Sequence, residues 1–256
     1  DEGRARYEAA HLPGAVYAHL DRDLAAPVGS STGRHPLPHA ETLLATLRGW
    51  SISDETQIVA YDDAGGALAA RLWWLARWLG HHRVAVLDGG LAAWQEEGRP
   101  VTRREPAPRS GRLTARPSVT SVVDTAELRR RLELPQRLPL VDARAPERFA
   151  GHSEPIDTVA GHVPGAINFP CAQNIADDGR WRPAADLRRR WEATFADGVP
   201  AEWAVMCGSG VTACQLVLSA ELAGLAAPRL YAGSWSEWIR DPSRPVAVGA
   251  ADADSR

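Results

Sequence analysis

The chain has 256 residues, room for one large domain or two of about 125. Hydrophobic residues make up 45% and charged residues 24%, the balance of an ordinary globular protein. The net charge of −3 gives no electrostatic reason for nucleic acid or an anionic membrane as partner. Three cysteines at irregular spacing form neither a disulfide framework nor a metal-ligand pattern, which fits a reducing cytoplasm.

In chain order, residues 40–47 read as a helix, 57–61 as a strand, 67–79 as a long helix and 84–87 as a second strand. Arg71 and Arg77 interrupt the richest apolar stretch, so no membrane span is expected. Residues 102–117 carry Arg103, Arg104, Arg109, Arg112 and Arg116 among prolines, the composition of an extended linker lying over the surface. The spacing then predicts helices over 125–132, 186–194 and 213–222, with strands over 138–141 and 230–231. The opening residues do not read as a signal peptide, and the sequence starts at Asp1 in place of methionine, as a fragment would.

The order repeats itself. His11-Leu12-Pro13-Gly14-Ala15-Val16 returns as His162-Val163-Pro164-Gly165-Ala166-Ile167, and Ile58-Val59-Ala60-Tyr61-Asp62 aligns with Trp203-Ala204-Val205-Met206-Cys207. Leu87-Asp88-Gly89-Gly90 with Trp94 answers Tyr231-Ala232-Gly233-Ser234 with Trp238, and Arg99-Pro100-Val101 answers Arg244-Pro245-Val246. Four landmarks in one order at nearly one offset mean two copies of a domain. Strands alternating with helices make each copy α/β, a mainly parallel sheet with helices on both faces. The copies run over residues 1–101 and 118–256, joined by the linker. The strand ending Val141-Asp142-Ala143-Arg144 has no counterpart in the first copy, because the matching position would precede residue 1. The first copy is therefore expected to lack its opening strand, or to have had that strand cut away before residue 1. His11 and His162 belong to the repeated element, so a shared turn role is expected of them rather than catalysis.

The chemistry concentrates in Cys207-Gly208-Ser209-Gly210-Val211-Thr212. A buried strand delivers a cysteine into a loop that glycine permits, and the loop opens onto a helix. Successive loop N–H groups and the helix dipole make an anion-binding nest, which favours the thiolate, the reactive form. Sites in parallel α/β sheets form at the carboxyl ends of strands, where Cys207 stands. In the first copy Asp62 takes the cysteine's place, so that copy is expected to be inactive and to furnish a wall of the cleft, with Arg71-Leu72-Trp73-Trp74 as helix core. Cys214 lies two helical turns past Cys207 and reads as packing. Cys171 reads as partly exposed, and neither completes a C-x-x-C dithiol.

The repeated H-[LV]-P-G-A element, Val141-Asp142-Ala143-Arg144, the closing Gly233-Ser234-Trp235-Ser236-Glu237-Trp238 and the Cys207 loop together resemble tandem rhodanese-type sulfurtransferases. The loop is similar to the form found in the family's 3-mercaptopyruvate branch; the thiosulfate-preferring branch typically carries basic side chains where Gly208 and Ser209 stand. The resemblance implies two tandem rhodanese-like domains and a persulfide formed on Cys207. Its sulfur would come from 3-mercaptopyruvate, or alternatively thiosulfate, and pass to cyanide, a thiol or a thioredoxin-like protein. No metal or cofactor is implied. It further implies that Arg148 holds the donor's carboxylate, a job suited to a bidentate guanidinium. Ser209 would assist proton movement, and Asp21 and His35 would complete its network from the first copy. The loop residues Gly208 to Thr212 would line the donor site. One departure stands out: the branch often has a second arginine after a Glu-Pro pair, and here Glu154-Pro155 is followed by Ile156.

Three other readings are open to the residues. A cysteine phosphatase needs arginine in a C-x5-R loop, where this chain has Ala213. A non-catalytic pair of binding domains would suit the first copy alone. A hydrolase built on Ser209, His35 and Asp21 lacks the G-x-S-x-G elbow.

Overall fold

The computed structural model describes residues 2–107, 109–118, 121–134 and 136–249. Pro108 of the linker and the final seven residues of the second copy, 250–256, lie outside the described residues.

Every strand pairing in the described sheets is parallel. The second copy holds five strands, β3 (Val122–Val123), β4 (Leu140–Asp142), β5 (Ile167–Asn168), β6 (Ala204–Met206) and β7 (Arg229–Tyr231), in the order β3-β7-β6-β4-β5. The central strands β4 and β6 are buried along their whole length, as continuous apolar runs covered on both faces must be. The first copy holds two strands, β1 (Ile58–Ala60) and β2 (Val84–Val86), also parallel. The matching strands of the two copies pair alike: β1 pairs with β2 as β6 pairs with β7. On the other side of β6 lies β4; on the corresponding side of β1 no strand lies among the described residues, and Val59 is half exposed.

Helices form where the 3.6-residue period indicated: Ala40–Gly49, Ala69–Trp78, Thr125–Leu132, Ala184–Thr194 and Ala213–Leu222. Asp124 caps Thr125–Leu132 by accepting from the Glu127 amide at 2.7 Å. Short elements without a full apolar period escaped sequence reading, among them Glu2–Ala9, Gly90–Glu96, β3 and β5. The strand expected over 138–141 runs instead over Leu140–Asp142, because it follows the register with β6.

The two copies share one core. Ala69–Trp78 and Ala213–Leu222, the helices that follow the two equivalent loops, pack against each other across the boundary between copies. Trp74, Leu75 and Ala76 from one meet a second helix in which eight consecutive residues, Ala213 to Ala220, are buried. Behind it, Trp191 stacks on Phe169 with ring centroids 3.8 Å apart and meets Trp203 edge-on at 4.7 Å. Gln215 Nε2 donates to the Gly65 carbonyl at 2.9 Å, tying the two loops directly.

The repeated histidines do structural work. His11 stacks on Tyr7 and hydrogen-bonds the Tyr7 carbonyl at 2.7 Å; His162 stacks on Phe149 and hydrogen-bonds the Phe149 carbonyl at 2.8 Å. Each also forms a two-bond backbone bridge, His11 to Thr102 and His162 to Ala247.

The linker is extended and mostly exposed, as an extended segment lying over the surface would be, but it is anchored at one point. Leu113 is fully buried in the shared core, Gly111 N donates to Arg48 O at 2.7 Å, and Arg48 Nε donates to Leu113 O at 2.9 Å. A side chain at Gly111 would collide with the Ile52 backbone. The arginines and prolines conceal one apolar residue that anchors the segment. Leu113→Ala is expected to destabilise the protein by about 2–5 kcal/mol, the usual range for a buried leucine. An unchanged denaturation midpoint would show that the segment is only a tether.

Candidate active site

The site lies between the copies, in a cleft of about 590 Å³ lined by Cys207, Gly208, Ser209, Arg148, Arg34 and His35. Strand β6 ends at Met206 and leaves Cys207 at the floor of this cleft, 2% exposed. Its sulfur accepts from two loop amides, Ser209 N at 3.4 Å and Gly210 N at 3.1 Å. The Cys207 amide donates to Ser234 Oγ at 3.0 Å, so backbone on both sides of the sulfur is fixed. Gly210 makes the curl possible: its φ is +78°, and a Cβ there would strike the Ala232 carbonyl. The loop leads straight into Ala213–Leu222, whose N-terminus adds partial positive charge behind the sulfur.

The first copy shows what this loop is built to hold. Asp62, in the position equivalent to Cys207, accepts four backbone amides. Oδ1 takes Ala64 N and Gly66 N at 2.9 and 2.8 Å, and Oδ2 takes Leu68 N and Ala69 N, both at 2.7 Å. One copy fills its nest with a fixed carboxylate and the other with a sulfur.

The first copy also reaches across. His35 Nδ1 lies 2.7 Å from Ser209 Oγ, and His35 Nε2 lies 3.0 Å from Asp21 Oδ1. A carboxylate only accepts, so Nε2 carries the proton and the bare Nδ1 accepts from the serine hydroxyl. Burial, opposed by Asp21, holds the His35 pKa below its ordinary value of 6.5, so the imidazole is neutral at pH 7. Three residues far apart in sequence thus form one hydrogen-bonded row ending beside Cys207.

Arg148 is in the cleft as expected. Its Nε donates to Glu154 Oε1 at 3.0 Å, and its Nη2 to Glu154 Oε1 at 2.7 Å and Asp157 Oδ2 at 3.1 Å. Gly208, Ser209, Val211 and Thr212 line the cleft; Gly210 lies beneath it and serves through its amide. Ile156 lines the same cleft and is exposed.

Sequence reading missed three residues. Arg71 is fully buried, and its guanidinium donates to Gly210 O at 3.2 Å, Leu24 O at 3.3 Å and His35 O at 3.2 Å. It is therefore more than helix core: it fastens the His35 segment to the Cys207 loop. The signal was a lone arginine in an otherwise apolar helix face. Arg34 and Asp157 face each other across the cleft as an ion pair; Arg34 adjoins His35 in a loop already singled out, but its direction could not be read from spacing.

The other thiols are unsuited to reaction. Burial raises Cys171 to about 11 and Cys214 to about 12, so both stay protonated near neutrality. Cys214 is fully buried and Cys171 partly so. Among the described residues no cluster has the makings of a metal site, and no helix is long and apolar enough to cross a membrane.

Comparison with known proteins agrees with the two-copy fold. The rhodanese-like domain description matches residues 2–97 and 124–241. A Pseudomonas aeruginosa protein named "Probable 3-mercaptopyruvate sulfurtransferase" is 48% identical over 249 residues, spanning 96% of this chain and 87% of its own. The thiosulfate sulfurtransferase of Bos taurus is 33% identical over 245 residues, spanning 93% of this chain and 80% of its own. The solved structure of a 3-mercaptopyruvate sulfurtransferase from Leishmania major superposes with a TM-score of 0.80 at 31% identity, over 94% of this chain and 68% of that one. With two matched copies, one shared core and a cysteine held in the nest of the second, this chain belongs to the rhodanese-like family.

Proposed function

We propose that this chain is a sulfurtransferase that moves a sulfur atom from 3-mercaptopyruvate, through a persulfide on Cys207, to a thiol, cyanide or a thioredoxin-like protein. The observation that carries this reading is the Cys207 sulfur held by two loop amides beside the Ser209–His35–Asp21 row.

The Cys207 thiolate attacks the donor's sulfur, forming an S–S bond while the donor's C–S bond breaks. The electron pair of that bond leaves on carbon as the enolate of pyruvate. The donor's thiol proton is taken up through Ser209 and neutral His35 and is returned to the enolate carbon, giving pyruvate and an anionic persulfide. Asp21 keeps the imidazole in the accepting tautomer. The outer sulfur's negative charge falls in the nest that in the first copy accommodates the Asp62 carboxylate. An attacking thiolate or cyanide then takes that sulfur and restores the Cys207 thiolate. Arg148 is proposed to hold the donor carboxylate. The first copy is proposed to be catalytically inactive, since a carboxylate cannot become a persulfide, and to supply His35 and Asp21 instead. Three unpaired thiols fit a reducing compartment, here taken as the cytoplasm.

Relatives carry both donor names, and the relay favours mercaptopyruvate. Thiosulfate brings no S–H proton, so a proton relay would be idle with it. A hydrolase acting through Ser209 would need amides directed at an oxygen near that serine; here they point at the Cys207 sulfur. Paired kinetics with the two donors test the reading. Wild type should prefer 3-mercaptopyruvate and Cys207→Ala should turn over neither; a thiosulfate preference would contradict the donor assignment.

Two further outcomes are expected. Ser209→Ala should lower kcat with 3-mercaptopyruvate by about 10²- to 10⁴-fold, the usual range for a lost proton-transfer group, and leave thiosulfate turnover within about threefold. Equal losses with both donors would contradict the relay. Because His35 works as the neutral base, the ratio of mercaptopyruvate to thiosulfate rates should fall as pH drops through its depressed pKa, with a midpoint below 6.5. The ratio in His35→Gln should be low at every pH, and a midpoint above 6.5 would count against a neutral His35.

A further inference from the structure

The turn that closes each copy repeats with one exchange. Tyr231-Ala232-Gly233-Ser234 stands where the first copy has Leu87-Asp88-Gly89-Gly90, so a serine holds the fourth position in place of a glycine. Both residues adopt the left-handed backbone, Gly90 at φ +56° and Ser234 at φ +53°. Glycine takes that conformation freely, whereas a side chain makes it costly. Ser51 is the other non-glycine residue with a positive φ among the described residues, and it is exposed just past a helix end. Ser234 is fully buried against the nucleophile loop. In the first copy a serine would not fit, since a Cβ on Gly90 would collide with the Asp62 carbonyl.

The hydroxyl accounts for the strain. Ser234 Oγ accepts from the Cys207 amide at 3.0 Å and donates to the Tyr231 carbonyl at 2.9 Å. Glycine can make neither bond. The same short helix, Ser234–Trp238, holds the next two peptides as well: Trp235 N donates to Cys207 O at 3.0 Å and Ser236 N to Gly208 O at 2.9 Å. The peptide on each side of Cys207 is thus bonded to one element behind the loop. Those peptides set where the Ser209 and Gly210 amides point, and both point at the sulfur. The first copy has less use for such a brace, because Asp62 holds its loop from within through four amides. A sulfur that accepts two amides holds its loop less firmly, and the brace is found in that copy.

Resting on the sulfurtransferase reading above, we propose that Ser234 is a positioning residue for the reaction, whose hydroxyl orients the Cys207 peptide so that the Ser209 and Gly210 amides bear on the sulfur. The left-handed backbone is strain kept at the site for that hydroxyl. Without it the Cys207 amide is a buried donor with no partner, and the loop relaxes to find one. The sulfur then loses alignment with its two amides, and with it the stabilisation of negative charge in both halves of the cycle. Ser234 touches neither donor nor acceptor, so its loss affects every donor alike. This separates it from Ser209, whose loss falls on mercaptopyruvate alone.

Two variants separate the hydroxyl from the strain. Ser234→Gly removes both, and Ser234→Ala removes the hydroxyl and keeps the strain. Each should lower kcat about 10- to 100-fold with 3-mercaptopyruvate and thiosulfate alike, with KM within about threefold, as expected for a lost bond to a buried amide. The rate at which iodoacetamide alkylates Cys207 at pH 7, read on its peptide by mass spectrometry, should fall by a similar factor. Ser234→Gly should nevertheless denature at a higher midpoint than Ser234→Ala, because the glycine relieves the backbone. Wild-type rates in both variants would overturn the proposal, as would rates that recover with stability in Ser234→Gly. If wild type transfers sulfur from neither donor, the sulfurtransferase reading fails by itself, and alkylation alone decides. A fall of about tenfold or more in both variants then upholds the role of Ser234, and a smaller one overturns it.

Discussion

Everything in this protein depends on a loop whose backbone amides must face an anion. In the six residues between β6 and helix Ala213–Leu222, two amides, those of Ser209 and Gly210, turn onto the Cys207 sulfur, and the loop can do so only because Gly210 adopts a left-handed φ against the Ala232 carbonyl. The first copy repeats the device with a carboxylate. Asp62 satisfies four amides there, so that loop is complete without any ligand. In the second copy the same polarity falls to the Cys207 sulfur, which on the proposed function accepts another. On that reading, a permanent anion in one loop and a nucleophile in the other separate a structural loop from a reactive one.

The second constraint is that neither copy holds the site alone. The helices that follow the two loops pack together, Gln215 joins the loops, and Arg71 binds the Gly210 carbonyl on one side and the His35 segment on the other. Buried without solvent, Arg71 offers its donors only to carbonyls, and it finds them in both copies. The outcome is a hydrogen-bonded seam that brings His35 and Asp21 to Ser209. On the proposed function, the first copy without a cysteine is one side of a division of labour: one copy would carry the sulfur, and the other would bring the groups that handle protons.

Much of this was legible in the chain. The repeats fix the two copies because their landmarks recur in one order, and the Cys207 loop is readable because few other purposes require two glycines around a serine between a buried strand and a helix. His35 and Asp21 came from family likeness, since nothing in their spacing aims them at Ser209 across the cleft. Arg34 and Asp157 were not legible. Their pairing depends on how two copies close on each other, and a surface arginine and a cleft arginine look alike in sequence. Leu113 was hidden for a similar reason, as one apolar residue in a charged, proline-rich segment has no periodicity to expose it.

The central claim, a persulfide carried by Cys207, is tested most directly by single-turnover mass spectrometry. One equivalent of 3-mercaptopyruvate should make the chain heavier by one sulfur, release one pyruvate per chain, and place the extra sulfur on the peptide containing Cys207, from which cyanide removes it as thiocyanate. Pyruvate released with no sulfur gained, or sulfur found on the Cys171 peptide instead, would contradict the account.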